Sequence, residues 1–504
     1  MRNRFILLFI AMLVLVTSLM YATRDYIIIG TTDKIRSLDP ARCYDYFSSN
    51  ILQNVLSGFV DYEIGTTNLK PWLAEKWEIS NDGKVYTFYL RKDATFEDGT
   101  PITAQVMKYS FDRVIKLNGD PAFLLSDIVD KTEVVDKYVF RVYLKYPFSA
   151  FLSVLGYTVA YPVNPKVYPE DSFYELAPSA SGPYRIKEWI RDVRIVLEAN
   201  PKYFGEKPKT KTIIINFYEN ASTLRLALET GEIDVAYRDL DPRDILEIEK
   251  DPRFVVYKGE SPQIRYIVFN VKQKPFDDPN VRTGLAYAVD RNMIANEVFV
   301  GLVKPLYSMV PMGMWSHEDV FPKRDLEKAK EYLSQAGYDE NNPLKIDFWY
   351  TPTHYGSTEA DVAQIIKESL EETGVIKVTI KYAEWATYVD YFLNGTMGMF
   401  LLGWYPDYLD PDDYVWPFLS ISGAKSLGSF YENQEVENLM VEARKSSDVE
   451  ERTKIYKKVQ EILVKDKPYV PLWQGVAICI AKPEIKGIVL EPTQIFRYYT
   501  LYSK

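Results

Sequence analysis

Four aspartates crowd into one aromatic stretch of the chain, "LLGWYPDYLDPDDYVWPF", which covers residues 401–418. Six Trp, Tyr and Phe side chains lie among them. Carboxylates grouped in this way bind a metal ion, act as an acid–base pair, or hold the positive charge and hydroxyls of a ligand. The aspartates are Asp407, Asp410, Asp412 and Asp413.

The motifs of common enzymes do not occur in the sequence. Its two histidines, His317 and His354, do not form the H-E-x-x-H pattern of zinc hydrolases, and no G-x-S-x-G nucleophile elbow is found. The acidic run lacks the central glycine and distal glutamate of a helix–loop–helix calcium site. We therefore expect no catalytic residue, metal ligand or cofactor. An exported glycoside hydrolase that uses two carboxylates from residues 407–413 stays open as an alternative.

The composition is that of a large folded protein. The 504 residues, 47% hydrophobic and 26% charged, predict two or three domains. A formal net charge of −10 argues against nucleic acid as a partner, because phosphate recognition needs clustered Lys and Arg. The 39 Tyr and 9 Trp offer flat apolar surface with a polar tip, which suits a binding cleft.

The N-terminus has the pattern of an export signal. Arg2 and Arg4 precede an apolar run from Phe5 to Ala22, after which the chain turns polar. This pattern predicts a signal peptide over residues 1–22 and a mature protein in the periplasm or on the outer face of the cell membrane. A retained membrane anchor is the alternative, because the run nearly spans a bilayer.

Helical and strand patterns alternate along the chain and indicate an α/β fold. Alternation predicts a strand over Tyr86–Leu90, and an apolar run predicts a more fully buried strand over Lys211–Tyr218. Asp278 is the expected N-cap of a helix that has Pro279 in its first turn. Ser447, with a glutamate three residues later, predicts a capping box before another helix.

Taken together, six segments resemble the oligopeptide- and dipeptide-binding proteins of ATP-binding-cassette importers, the extracellular solute-binding family 5. They occur in order and at plausible spacing, behind the export signal. The resemblance implies a periplasmic binding protein-like fold (type II, cluster C), with three α/β domains whose two lobes hinge around a ligand cleft. The segments are residues 37–60, 69–114, 181–205, 228–236, 269–292 and 401–418.

The resemblance also implies that the first domain is assembled from separated segments of chain. Cys43 and Cys479 would both belong to it, and we expect two free thiols because a core of this size needs no disulfide. The implied division is domain I at residues 24–58, 179–264 and 478–504, domain II at 59–178, and domain III at 265–477.

The peptide-binding relatives anchor their ligand with the pattern G-W-x-x-D-x-x-D-P, which here begins at Gly403. The resemblance assigns Asp407 to the carboxylate that pairs with a peptide's α-ammonium, through a charge-assisted hydrogen bond. It assigns the backbone of Gly403, Trp404 and Tyr405 to pairing with the peptide as an added strand.

The opposite lip of the implied cleft aligns with the segment that contains Tyr44, Asp45 and Tyr46. His354, in a proline-containing segment, is expected to line the same cleft. These eight residues, from both lips, are the predicted ligand-binding set.

One part of the peptide pattern is missing. Relatives hold the peptide carboxylate with an arginine, either just ahead of the motif or on a domain III helix. Here the first position is Leu401, and the helix region 356–370 offers acidic residues instead. Short free peptides are therefore disfavoured against longer ones, whose C-terminus need not be held. Oligosaccharides are the alternative, because the tyrosines of 43–47 and 350–355 would stack on sugar rings.

The resemblance implies a binding protein without catalytic activity. We expect it to capture oligopeptides by closure of its hinge and to deliver them, as a monomer, to the membrane subunits of an ATP-binding-cassette permease.

Overall fold

A computed structural model describes residues 24–238, 240–352 and 354–504. The predicted signal peptide, residues 1–22, lies outside the described residues. Within the described part of the chain, no helix combines the length and apolar character needed to cross a membrane.

The strands are numbered in chain order. They are β1 (Tyr26–Thr31), β2 (Val60–Tyr62), β3 (Leu69–Pro71), β4 (Ala74–Ile79), β5 (Val85–Leu90), β6 (Val129–Asp136), β7 (Val139–Leu144), β8 (Tyr184–Ile190), β9 (Arg194–Ala199), β10 (Thr212–Phe217), β11 (Val235–Tyr237), β12 (Val255–Phe269), β13 (Lys304–Pro305), β14 (Leu344–Tyr350), β15 (Ile376–Tyr382), β16 (Met399–Trp404), β17 (Tyr469–Ala481), β18 (Ile485–Lys486) and β19 (Tyr502–Ser503).

The α-helices are numbered in the same way. They are α1 (Tyr46–Val55), α2 (Ala104–Leu117), α3 (Phe123–Ser126), α4 (Phe151–Val154), α5 (Ala221–Glu229), α6 (Pro242–Ile248), α7 (Pro279–Ala288), α8 (Arg291–Met293), α9 (Leu326–Gln335), α10 (Glu359–Glu371), α11 (Trp385–Leu393), α12 (Trp416–Leu419), α13 (Ile421–Ser426), α14 (Gln434–Lys445) and α15 (Val449–Asp466).

A mixed sheet of 11 strands runs through the described chain, in the order β15-β14-β16-β12-β17-β11-β1-β10-β9-β8, with β13 paired to β17. Strands β12 and β17 are its longest members, with 15 and 13 residues. They pair along their length, and the pairing slips between Glu260 and Ile264 and again after Arg265. One end of this ribbon pairs with β16 and the other with β11, so two strands join both halves of the sheet.

A second sheet of four antiparallel strands, in the order β4-β5-β7-β6, lies apart from the first. Its buried face packs with helix α2 in a core whose residues lie between Ala41 and Ala160, apart from one distant residue, Tyr408. The large sheet packs its own cores on either side of the β12–β17 ribbon. The acidic stretch around Tyr408 therefore reaches across to the smaller sheet.

Local signals in the sequence are mostly confirmed. Strand β5 matches the predicted strand, and Asp278 caps α7 by accepting the Asn280 N–H. Strand β10 forms as predicted but alternates buried and half-buried residues, because only one of its faces is fully covered. The Ser447 capping box is wrong: the cap of α15 is Asp448, whose carboxylate accepts the N–H groups of its first turn.

Cys43 and Cys479 are free and fully buried, as expected. Both belong to the same apolar core around β1 and α1, where each acts as a small hydrophobic side chain.

Candidate ligand-binding site

The motif around Asp407 begins on strand β16 and continues into the loop that follows it. Gly403 and Trp404 are the last two residues of the strand, and Gly403 lies opposite Arg265 of β12. Neighbouring β14 pairs only with Met399 and Phe400 of β16. Among the described residues, the end of β16 that carries the motif therefore has no neighbouring strand on that side.

Asp407 lies in an acidic pocket formed by four side chains from both lips of the predicted cleft. Its carboxylate accepts a hydrogen bond of 2.8 Å from the Tyr44 hydroxyl. The Asp413 carboxylate accepts the backbone N–H of Asp407 at 2.9 Å and the indole N–H of Trp404 at 3.1 Å. The acidic pocket, made of Tyr44, Trp404, Asp407 and Asp413, thus holds two carboxylates side by side. One oxygen of Asp413 has no hydrogen-bond partner among the residues that the structure describes.

The acidic pocket favours protonated carboxyls as long as no cation is bound. Burial raises the pKa of Asp407 to about 7, and the hydrogen bond from Tyr44 opposes that rise. Burial and the neighbouring charge of Asp407 raise the pKa of Asp413 well above its usual range. Asp407 is nevertheless only half-buried by surface area, and Tyr44 keeps 39% of its surface exposed. A cation can therefore reach this pocket and would stabilise its ionised form.

The other two aspartates of the stretch have structural partners. Asp410 caps a short 3-10 helix by accepting the Asp412 N–H, and it forms a buried ion pair with Arg452. Asp412 pairs with Arg444 and accepts the Tyr408 hydroxyl. These contacts leave Asp407 as the half-buried carboxylate of the stretch, with Asp413 almost completely buried beside it.

A cavity of about 580 Å3 lies beside the acidic pocket, between the β12–β17 ribbon and the loop after β14. We call it the central cavity; its size is typical of sites that bind small molecules. Among the predicted residues, Tyr46, His354 and Tyr405 line it. The predicted residues that do not line it are Gly403, Trp404, Asp407, Tyr44 and Asp45.

The aromatic wall of the central cavity is built around Arg238. Its guanidinium lies 4.0 Å from the centre of the Tyr46 ring and donates to the Tyr405 hydroxyl at 3.4 Å. Arg238 also forms an ion pair of 3.2 Å with Asp33. The Tyr46 hydroxyl donates to the Gln494 carbonyl at 2.7 Å. These contacts fix Tyr46 and Tyr405 in the cavity wall. In the chain, Tyr46 lies two residues after Tyr44, and Tyr405 lies two residues before Asp407.

Two of the predicted residues have contacts that the sequence did not indicate. Asp45 caps helix α1 by accepting the Ser48 N–H at 2.9 Å, so its carboxylate already has a structural partner. His354 stacks on Trp385, with ring centres 3.6 Å apart. Burial, together with the charges of Arg265 and Arg36, lowers the pKa of His354 to about 4. The imidazole is therefore neutral at physiological pH.

Sequence reasoning missed the basic end of the site. Arg265, on β12, lines the central cavity and forms an ion pair with Glu359, the first residue of α10. Both side chains are almost completely buried, and the Arg265 guanidinium lies 3.7 Å from the centre of the Tyr355 ring. Arg265 stands 94 residues before Glu359. The local signal in the sequence was an arginine inside the run "IRYIVF", whose other side chains are apolar or aromatic.

The site as a whole combines an acidic pocket, an aromatic wall and a buried arginine. Such an arrangement suits a ligand with separated positive and negative ends. In the described residues, no group of three or more His, Cys, Asp and Glu side chains could hold a metal ion.

The comparisons with known proteins identify the class. The family described as bacterial extracellular solute-binding proteins, family 5 (middle), matches residues 68–426. This chain belongs to that family, whose members are solute-binding proteins and not enzymes. The resemblance to solute-binding family 5 that the sequence showed is confirmed.

Particular relatives cover almost the whole chain. The probable D,D-dipeptide-binding periplasmic protein of Escherichia coli K12 is 29% identical over 495 residues, which are 95% of this chain and 94% of the relative. Heme-binding protein A of Haemophilus influenzae is 29% identical and covers 90% of this chain and 86% of the relative.

A solved structure gives the same result for the fold. The periplasmic binding protein DppA of Helicobacter pylori, an ABC transporter-associated protein in complex with the peptide STSA, is 27% identical. It superposes with a TM-score of 0.81 over 95% of this chain and 98% of its own. The predicted type II periplasmic binding protein-like fold, with mixed α/β sheets, is confirmed. The comparisons give no support to the oligosaccharide ligand or to the glycoside hydrolase.

Proposed function

We propose that this protein captures peptides and delivers them to the membrane subunits of an ATP-binding-cassette importer. The observation that carries this proposal is the half-buried carboxylate of Asp407, which lies at the ammonium-binding position of the family motif and is contacted by Tyr44 from the other lip. A peptide α-ammonium would replace or join the Tyr44 hydroxyl there and balance a charge that is costly without a partner. The D,D-dipeptide and STSA relatives support this ligand class.

We further propose that capture uses closure of two lobes about the β12–β17 ribbon. The proposed division into domains I, II and III puts both crossings between domains I and III, at residues 264/265 and 477/478, inside these two strands. The register slips after Glu260 and Arg265 weaken the ladder at that level, which favours bending there. Tyr44 on Asp407, and the Ser149 N–H on the Arg444 carbonyl at 2.9 Å, would be contacts of the closed form.

Transport would follow from recognition of the closed form by the permease. We propose a monomer that is exported by its N-terminal segment and acts in the periplasm or at the outer face of the cell membrane. The periplasmic location of relatives supports the compartment.

Thermal unfolding of the mature protein, refolded to remove any carried ligand, tests this proposal. The ligands are STSA, a mixed dipeptide and tripeptide set, haem, and a set of oligosaccharides. A peptide at a hundredfold its Kd should stabilise the fold by about 2.7 kcal/mol and raise the Tm by a few degrees. A rise with haem alone or with sugars alone would contradict the proposal.

A further inference from the structure

Arg265 has an incomplete set of partners. Its side chain is 3% exposed, and its hydrogen-bond partner is the Glu359 carboxylate, bound through one terminal nitrogen, Nη2. The other two nitrogens, Nε and Nη1, are buried without a hydrogen-bond partner in the described part of the chain. An arginine can donate five hydrogen bonds, and unsatisfied donors of a buried cation cost more than those of a neutral group. Glu359 therefore balances the charge of Arg265 but does not use all of its hydrogen-bond donors.

The surroundings of Arg265 hold it in one place. The Tyr355 ring covers one face of the guanidinium at 3.7 Å, and the Tyr355 hydroxyl donates to the Gly403 carbonyl at 3.3 Å. A Cβ at Gly403 would lie 2.5 Å from Nη1, so the glycine allows the close approach of the guanidinium to β16. The cation is thus fixed directly beneath the strand end that carries the ligand motif.

We propose that Arg265 binds a carboxylate of the ligand, and that Glu359 is the internal counterion that occupies Arg265 when the site is empty. This inference rests on the proposed function and deepens it, because it makes the ligand a short peptide held at both ends. The ammonium lies at Asp407 and the carboxylate at Arg265, in the neighbouring central cavity. A planar guanidinium suits this task, because its parallel N–H donors can bind a carboxylate bidentately.

The existing contacts favour Arg265 as the carboxylate-binding residue over Arg238, the other arginine in the wall of the central cavity. Arg238 donates to Asp33 and to the Tyr405 hydroxyl and stacks on Tyr46, so its contacts already build the wall. A ligand carboxylate can displace Glu359 from Arg265, because burial raises the pKa of Glu359 and so weakens its preference for the ionised form. A ligand carboxylate would take its place beside the cation, with Glu359 protonated or turned aside.

The test compares STSA with its C-terminal amide, since the terminal carboxylate is the only one in this peptide. The wild-type protein should bind the free acid about 10- to 100-fold more tightly than the amide, as expected for a charge-assisted hydrogen bond. Arg265→Gln should remove this preference. Glu359→Gln removes the competing charge and should strengthen binding of the acid while leaving the amide almost unchanged.

The control is Glu368→Gln, the same substitution on an exposed position of the same helix, which should change neither affinity. Equal binding of acid and amide by the wild type would overturn the inference but not the peptide function. Weaker binding of the acid by Glu359→Gln would also overturn it. If Arg265→Gln does not fold, the wild-type and Glu359→Gln comparisons still decide. Failure of both peptides to bind the wild type would count against the proposed function itself, and the carboxylate site would fall with it.

Discussion

At the scale of single residues, the site depends on two charges that lie in unfavourable surroundings. Asp407 shares its pocket with Asp413, and two nitrogens of Arg265 lack a hydrogen-bond partner within the described residues. Groups of this kind reduce the stability of an empty protein and gain most from a ligand of complementary charge. The same features that make the empty site costly therefore make it selective for a charged ligand.

Asp407 should make the stability of the empty protein depend on pH. Its pKa in the folded protein, about 7, is higher than the value of about 3.9 expected for an unfolded chain. Its contribution is therefore fully present below about pH 4 and is lost as the pH rises through 7. Between pH 5 and pH 8, urea unfolding should show the wild type losing free energy of unfolding relative to Asp407→Asn. A difference between the two that does not change with pH would contradict this assignment.

At the scale of elements, the sequence predicted what local patterns encode. The family resemblance assigned Asp407 to the ligand cleft, which stays a prediction, and helical periodicity with Asp278 located α7. Arg265 and Glu359 could not be paired in advance, because their contact joins β12 to α10 across 94 residues of chain. Likewise, nothing in the sequence near Asp45 distinguished a ligand contact from the helix cap that it forms.

Strand β16 should tolerate no side chain at Gly403. An alanine Cβ there would meet Arg265 Nη1 at 2.5 Å and the Tyr355 ring at 2.9 Å, and both neighbours are held by packing. Gly403→Ala should lower the free energy of unfolding by about 1 to 3 kcal/mol and weaken peptide binding.

Gly475→Ala is the matched control for this substitution, on strand β17, which is separated from β16 by β12. Its added Cβ would meet chiefly the flexible tip of Gln263 at 3.2 Å, so its cost in urea unfolding should be smaller. Equal costs for the two variants would mean that the position of Arg265 does not depend on the glycine.

At the scale of the whole molecule, one ribbon of two strands connects the parts that form the site. Tyr44 lies just before α1 and Tyr46 is the first residue of that helix, whereas Gly403 and Asp407 come from β16 and its loop. These segments meet through the Tyr44–Asp407 hydrogen bond and through the Arg238 contacts with Tyr46 and Tyr405. A ligand that bridges them would stabilise the closed arrangement by its differential affinity for that state.

The most direct test of peptide capture is calorimetric titration of STSA and N-acetyl-STSA into the wild type and Asp407→Asn. N-acetylation removes the ammonium and leaves the rest of the peptide intact, so it isolates the proposed ion pair. The substitution should weaken binding of STSA by about 2 kcal/mol or more, as expected for loss of one partner of a buried charge pair. Binding of N-acetyl-STSA should be weak and nearly equal in both proteins. Equal affinity of the two proteins for STSA would contradict the account.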